Sequence, residues 1–431
     1  FFSLSMVEAA LTAILSLGLL LSLAQHLWTL RWTLSRDRAC SLPLPKGSMG
    51  WPFFGETLHW LVQVSIFSRA ALESYMPRIQ TTLRRELWAW CGVPGPVSVY
   101  SAAKALTFRI AARILLGLRL DEGECNELAK TFEQLVENLF SLPLDVPFSG
   151  LRKGIRARDL LHEHMEKAIL EKLQREEPGG QKDALDFIIN SAKEQGWELT
   201  MQELKESAIE LIFAAFFTTA SASTSLLLLL LKYPASIEKI RQELASHELT
   251  RHWPECECDP DLSLEKLSRL HYLDCVIKEV LRLLPPVSGG YRTALQTFEL
   301  DGYQIPKGWS VMYSIRDTHE TAAVYQSPPE GFDPDRFDPA WEEHLGAGRF
   351  HYIPFGGGVR SCIGKELAQA ILKLFAVELV RTVRWELATA SFPDMQTVPI
   401  VHPVDGLQVF FYPLPPSCVQ EPETAHLLSA F

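Results

Sequence analysis

Apolar side chains recur three and four positions apart along most of the first half of this chain. Residues 126–141, 157–176, 183–195 and 203–232 all show the pattern, which predicts amphipathic helices. Helical character extends from about Phe67 to Ala245, punctuated by glycine and proline at Gly92 to Pro96, Pro143 to Gly150 and Pro178 to Gly180. Leu267 to Leu284 and Lys365 to Trp385 read as two further helices, the second with Leu367, Ala370, Ile371, Leu374 and Phe375 on one face. Short strands appear later. Phe298–Leu300 and Tyr303–Ile305 flank Asp301-Gly302, a hairpin signal, and Leu407 to Tyr412 is a strand candidate. The expected class is mainly α with small β-sheets, α+β.

Two stretches are apolar enough to need separate treatment. Residues 9–30 form an almost uninterrupted apolar run of bilayer-spanning length, followed by Arg31, Arg36, Arg38 and Lys46. The positive-inside rule then puts the bulk of the chain in the cytosol. Ser22-Leu23-Ala24 leaves a cleaved signal peptide as the alternative, although Glu8 precedes the run and the run continues past that site. The reading divides the chain into an anchor at 1–31, a proline-rich connector at 32–55, a main domain at 56–418 and a tail at 419–431. Ser207 to Leu231 carries a single charge, Glu210, and is long enough for a second span. Its centre, Thr218 to Ser225, is rich in hydroxyls, which suits a buried helix lining a site.

Composition narrows the class without naming a chemistry. The 431 residues are 47% hydrophobic and 22% charged, as in ordinary globular proteins. A net charge of −11 argues against a nucleic-acid partner. Eight scattered cysteines in a chain this long are not a disulfide framework. Cys256 and Cys258, with His252 nearby, lack zinc-finger spacing.

One cysteine stands in an informative setting. Phe355-Gly356-Gly357-Gly358-Val359-Arg360-Ser361-Cys362-Ile363-Gly364 is a glycine-rich loop running into the helix from Lys365. Such a loop can lie close to a flat ligand. A thiolate at a helix N-terminus is stabilised by the dipole and by free N–H groups, as an anionic metal ligand requires. A buried structural cysteine before a core helix is the alternative. Upstream, Glu279 and Arg282 share a helix face at i, i+3.

The loop carries all five fixed positions of the pattern Phe-x-x-Gly-x-Arg-x-Cys-x-Gly and resembles the cytochrome P-450 family there. By chance this match arises in roughly one chain in ten thousand of this length. The resemblance implies the P-450 fold and haem b, with Cys362 as the iron ligand, Phe355 beside its sulfur, Gly358 and Gly364 shaping the loop, and Arg360 and Arg292 on the propionates. It implies a buried ion network of Glu279, Arg282 and Arg336 that fixes the cysteine loop. Thr218 matches the threonine that helps protonate bound dioxygen. Ala215 and Phe217 depart from the family's usual glycine and acid, so proton delivery there runs through water, the hydroxyl or the backbone.

Pro43 to Thr57, Phe213 to Ser223 and Pro285 to Thr293 are similar to the retinoic acid hydroxylases within that family. This implies retinoic acid oxidation with dioxygen and electrons from NADPH through cytochrome P-450 reductase, at the endoplasmic reticulum membrane, with the catalytic domain facing the cytosol. Phe213, Phe217, Val287, Ser288, Gly289 and Gly290 are the expected substrate contacts. The resemblance breaks between Gln63 and Ile66. There the family has roughly 80 more residues, over half of a typical small domain. They comprise the first sheet strands, the helices roofing the pocket and a propionate-binding helix. The reading therefore expects a truncated N-terminal sheet and B–C helix region. It keeps open a chain of the same ancestry with little haem binding or activity, an oxygen-independent haem-thiolate isomerase and a multi-span membrane binding protein.

Overall fold

The computed structural model describes residues 69–174, 183–194, 199–250, 262–321, 325, 328–338, 350–397 and 399–414. The anchor and connector, Cys256 and Cys258, and the tail lie outside the described residues. Within them, Gly289–Tyr313 forms one compact unit and the remainder a second, larger one.

The larger unit is helical. α1 (Arg69–Cys91) leads into β1 (Val97–Ser98) and α2 (Val99–Arg109), which continues as a π-helical stretch over Ile110–Leu115. α3 (Glu122–Glu137), α4 (Gly150–Leu173), α5 (Ala184–Glu194) and α6 (Met201–Lys232) follow, then α7 (Pro234–Ser246), α8 (Leu264–Ser268) and α9 (His271–Leu283). α6 packs against α2, α4 and α11 (Lys365–Thr382). It starts at a capping box in which the Thr200 hydroxyl accepts from Glu203 N–H while the Glu203 carboxylate accepts from Thr200 N–H. It ends at Tyr233, and Pro234 opens α7, where a missing N–H costs nothing. Among the described residues α6 alone is long and apolar enough to cross a membrane, and most of it is buried inside the protein. Thr219, Ser221, Ser223, Thr224 and Ser225 are all buried, so its hydroxyl-rich centre is core. Phe216 lies edge-on to both Phe108 and Phe132.

Sheets are small. β6 (Val383–Leu387) and β1 both pair antiparallel with β9 (Gln408–Pro413). β7 (Met395–Gln396) pairs with β8 (His402–Pro403). In the smaller unit β3 (Phe298–Leu300) pairs with β4 (Tyr303–Ile305) through Asp301 and Gly302, both with positive φ, as the dipeptide predicts. β2 (Gly289–Thr293) pairs with β5 (Ser310–Ser314), and Ala294, Ile305 and Trp309 form that unit's own core.

Several element boundaries differ from the periodicity reading for identifiable reasons. α3 begins at Glu122, not 126, because Asp121 and Glu124 form a capping box whose polar first turn carries no apolar signal. α4 begins at Gly150 because Ser149 caps it, ahead of a basic stretch. The expected helix from Leu267 to Leu284 is broken at Leu270, which leaves α-space at φ −85° and ψ 83°. Lys365 to Trp385 is helical only to Thr382. Val383 turns extended, and β-branched residues favour that change.

A second buried ion cluster ties α1 to α11. Glu378 on α11 is fully buried. It accepts from Arg381 at 2.7 Å, from Arg84 of α1 at 3.0 Å and from Gln80 Nε2 at 2.9 Å. Removing the carboxylate leaves the buried Arg381 guanidinium, and in part that of Arg84, desolvated with less compensation. Glu378→Leu is expected to cost about 3–5 kcal/mol of stability, the range for breaking a buried pair. Urea unfolding followed by circular dichroism measures it.

Candidate haem-thiolate site

The cysteine loop is shaped by backbone geometry. Gly356 and Gly358 take φ +68° and +70°, where a side chain is strained. Gly356 N–H donates to Ile353 C=O at 2.9 Å and Cys362 N–H to Phe355 C=O at 2.8 Å, closing the loop on itself. Gly364 caps α11, so Cys362 sits just ahead of its first turn. Phe355 packs against the main hydrophobic core, while Arg360 is exposed at the end of a short 3-10 turn over Gly358–Arg360.

Cys362 differs from the buried cysteines. Cys275 is buried, donates to Phe337 C=O at 3.2 Å, and has its thiol pushed up to about 12 by burial. The Cys362 side chain is exposed. Surrounding protein still pushes its thiol above the ordinary range, and the Gly364 N–H opposes this. The Gly364 N–H is the helix-end stabilisation of charge that the sequence reading expects at this sulfur. Coordination to a metal centre would deprotonate such a thiol outright. A Cβ built at Gly358 or Gly364 meets no atom within 4 Å. An accessible soft donor beside an open glycine surface fits a flat metal-bearing cofactor.

Behind the loop lies a buried ion network. Arg282 donates to both Glu279 oxygens, at 2.7 and 2.8 Å, and to Gly331 C=O at 3.0 Å. Arg336 reaches Glu279 at 3.2 Å, and Asp333 N–H donates to the same oxygen at 2.9 Å. Both Glu279 and Arg282 are fully buried. Tyr325 lies beneath both guanidinium groups. His319, on α10 (Ile315–Thr321), is also fully buried. Its Nδ1 is 3.1 Å from Arg282 C=O and its Nε2 accepts from Ile353 N–H at 2.9 Å. Burial pushes its imidazole down to about 4.

On α6, Phe213 and Ala214 are exposed and Thr218 is half-buried, an opening in an otherwise buried stretch. The Thr218 hydroxyl donates to Ala214 C=O at 2.7 Å. Phe217 is buried against Phe216, with ring centroids 4.2 Å apart. Val287 is exposed and Ser288 half-buried, and Ser288 C=O accepts from Ile315 N–H at 2.8 Å. Gly289, Gly290 and Arg292 belong to the smaller unit. Tyr313 packs so closely on Gly290 that a Cβ there would lie 2.6 Å from its hydroxyl oxygen. The Arg292 guanidinium lies over the Tyr313 ring and donates to its hydroxyl at 3.4 Å.

Sequence reasoning missed His319 and the Glu378 cluster. The second was within reach, because Glu378 and Arg381 repeat the i, i+3 spacing of Glu279 and Arg282 inside an apolar helix. His319 had no local signal, since its partners are backbone atoms 34 and 37 positions away.

Comparison with known proteins decides the family. The cytochrome P-450 family model matches residues 62–410. The chain belongs to the cytochrome P-450 family. Its cofactor is haem with cysteine-thiolate ligation, and its class of reaction is monooxygenation. This P-450 is 62% identical to cytochrome P450 26C1 of Homo sapiens over 506 aligned positions, covering 96% of this chain and 97% of that one. It is 48% identical to cytochrome P450 26B1 of Mus musculus over 511 positions, covering 100% and 99%. Retinoic acid bound cyanobacterial CYP120A1 superposes with a TM-score of 0.73 at 34% identity, covering 82% of this chain and 77% of that one.

The depressed His319 has a measurable consequence. The native P-450 keeps the ring neutral, whereas the unfolded chain takes up a proton near pH 6.5. Native stability therefore falls as pH drops from 6.5 toward 4, by about 3 kcal/mol from this group. His319→Phe removes that contribution. The melting-temperature advantage of wild type over the variant should shrink across this window, as followed by circular dichroism.

Proposed function

We propose that this P-450 hydroxylates retinoic acid, and that the exposed Cys362 sulfur on its glycine loop carries the reaction by holding haem b. The family's bound haem supplies activation of dioxygen and oxygen insertion into a C–H bond. Its electrons come from NADPH through cytochrome P-450 reductase. Cys362 presents Sγ, and the Gly364 N–H stabilises charge there. Phe355 shields the sulfur from water, while Arg360 pairs with a propionate. Gly358 and Gly364 leave room for the flat ring. The Thr218 hydroxyl, within reach of Ala214 C=O and the α6 opening, holds and passes a proton. Phe213 and Val287 offer apolar surface and Ser288 one hydroxyl, suited to a polyene chain with a polar end, and Phe217 would join them only by leaving its packing on Phe216. The identity to the two P450 26 relatives and the likeness to a retinoic acid complex support this substrate. The apolar run at 9–30 and the basic residues after it support a membrane-anchored chain at the endoplasmic reticulum, with its catalytic domain facing the cytosol.

One observation favours a second reading of the same ancestry, a chain with little haem binding or activity. The 506-position alignment with the human relative exceeds the 431 residues of this chain, so at least 75 positions (506 less 431) face gaps. This supports an internal loss between Gln63 and Ile66, and the exposure of Phe213 and Ala214 on α6 is in keeping with a less covered site.

The carbon-monoxide complex of the reduced, haem-loaded chain separates the two readings. A red-shifted thiolate Soret band, lost in Cys362→Ala, is expected. Haem should be released faster than from an intact relative. NADPH-dependent turnover of retinoic acid in membranes with reductase then tests competence. A chain without that band in wild type has the ancestry and not the activity.

A further inference from the structure

We propose that His319 is a positioning residue for the cysteine loop, a neutral strut that passes the rigidity of the Glu279 ion network to the segment presenting Cys362. The inference rests on the reading of Cys362 as the haem ligand. Ile353 N–H can only donate, so His319 Nε2 is the acceptor and the ring proton sits on Nδ1, donating to Arg282 C=O. One tautomer of the neutral ring satisfies both bonds. A protonated ring sets two donors against each other at Ile353, and the other tautomer sets two acceptors against each other at Arg282.

His319 and Arg282 are joined in both directions, since the Arg282 guanidinium also approaches His319 C=O at 3.5 Å. The ring stacks on Tyr352, with centroids 5.4 Å apart and planes 24° apart, and the Tyr352 hydroxyl donates to Lys278 C=O at 3.1 Å. Two consecutive loop residues, Tyr352 and Ile353, are thus fastened to α9 and α10. From Ile353 the connection runs through its carbonyl to Gly356 N–H, and from Phe355 C=O to Cys362 N–H. The glycines between these points supply no side-chain contacts, so these hydrogen bonds join Phe355 on the core and the start of α11 in holding the loop.

The test uses the haem-loaded full chain and reads the ratio of thiolate- to thiol-ligated haem in the reduced carbon-monoxide spectrum. His319→Asn keeps a donor near Arg282 C=O and loses the acceptor for Ile353. His319→Gln keeps a polar group at the Nε2 position. Leu273→Ala empties a buried site on α9, the helix that carries Arg282, and leaves both His319 hydrogen bonds in place. At matched loss of melting temperature, the ratio should fall about fivefold in His319→Asn, the factor expected for one lost hydrogen bond. It should recover in His319→Gln and stay unchanged in Leu273→Ala. Equal ratios in His319→Asn and Leu273→Ala overturn the strut. If the band survives in Cys362→Ala, the ligand assignment itself fails, which is a separable outcome. Should His319→Asn not accumulate, hydrogen exchange at the Ile353 amide in wild type decides. Protection like that of α11 supports the strut, and exchange at the rate of an open loop overturns it.

Discussion

The Glu279 carboxylate is the constraint on which the proximal half of this molecule depends. A fully buried anion is tolerated only when every oxygen is engaged. Here two arginines and a backbone N–H engage it. The arginines in turn engage carbonyls of the 328–331 turn, so helix, turn and loop are held by one set of charge-assisted hydrogen bonds. The cysteine loop needs this support because its glycines contribute no side-chain packing. A metal-ligand loop that wandered by an ångström would lose its orienting value.

Much of this was legible in the chain. The fixed residues around Cys362 needed no structure to be read, and the Asp301-Gly302 hairpin and the hydroxyl-centred α6 were placed by pattern alone. Boundaries were less legible where polar caps hide a first turn, as at Asp121 and Ser149. The break at Leu270 was invisible because both flanking segments bury the same kind of apolar face, and periodicity does not register a single non-helical residue.

The contributions of burial were the least legible. At Cys362 the surrounding protein raises the thiol more than the Gly364 N–H lowers it, a balance that no residue pattern carries. His319 lies in an ordinary-looking polar segment, Asp317-Thr318-His319-Glu320, and only the tertiary structure shows that its ring joins two elements. Backbone partners leave no mark in a side-chain pattern, so struts of this kind are the hardest residues to find from sequence.

The Glu378 cluster bears on how the chain is made. Gln80 and Arg84 leave the ribosome almost 300 residues before the carboxylate that satisfies them. At typical synthesis rates that delay is on the order of 15–60 s. During that time Gln80 can gain the Leu262 N–H, but Arg84 waits for its carboxylate. The cluster can close only when α11 emerges, which makes termination ahead of Glu378 costlier to α1 than a local view of α11 suggests.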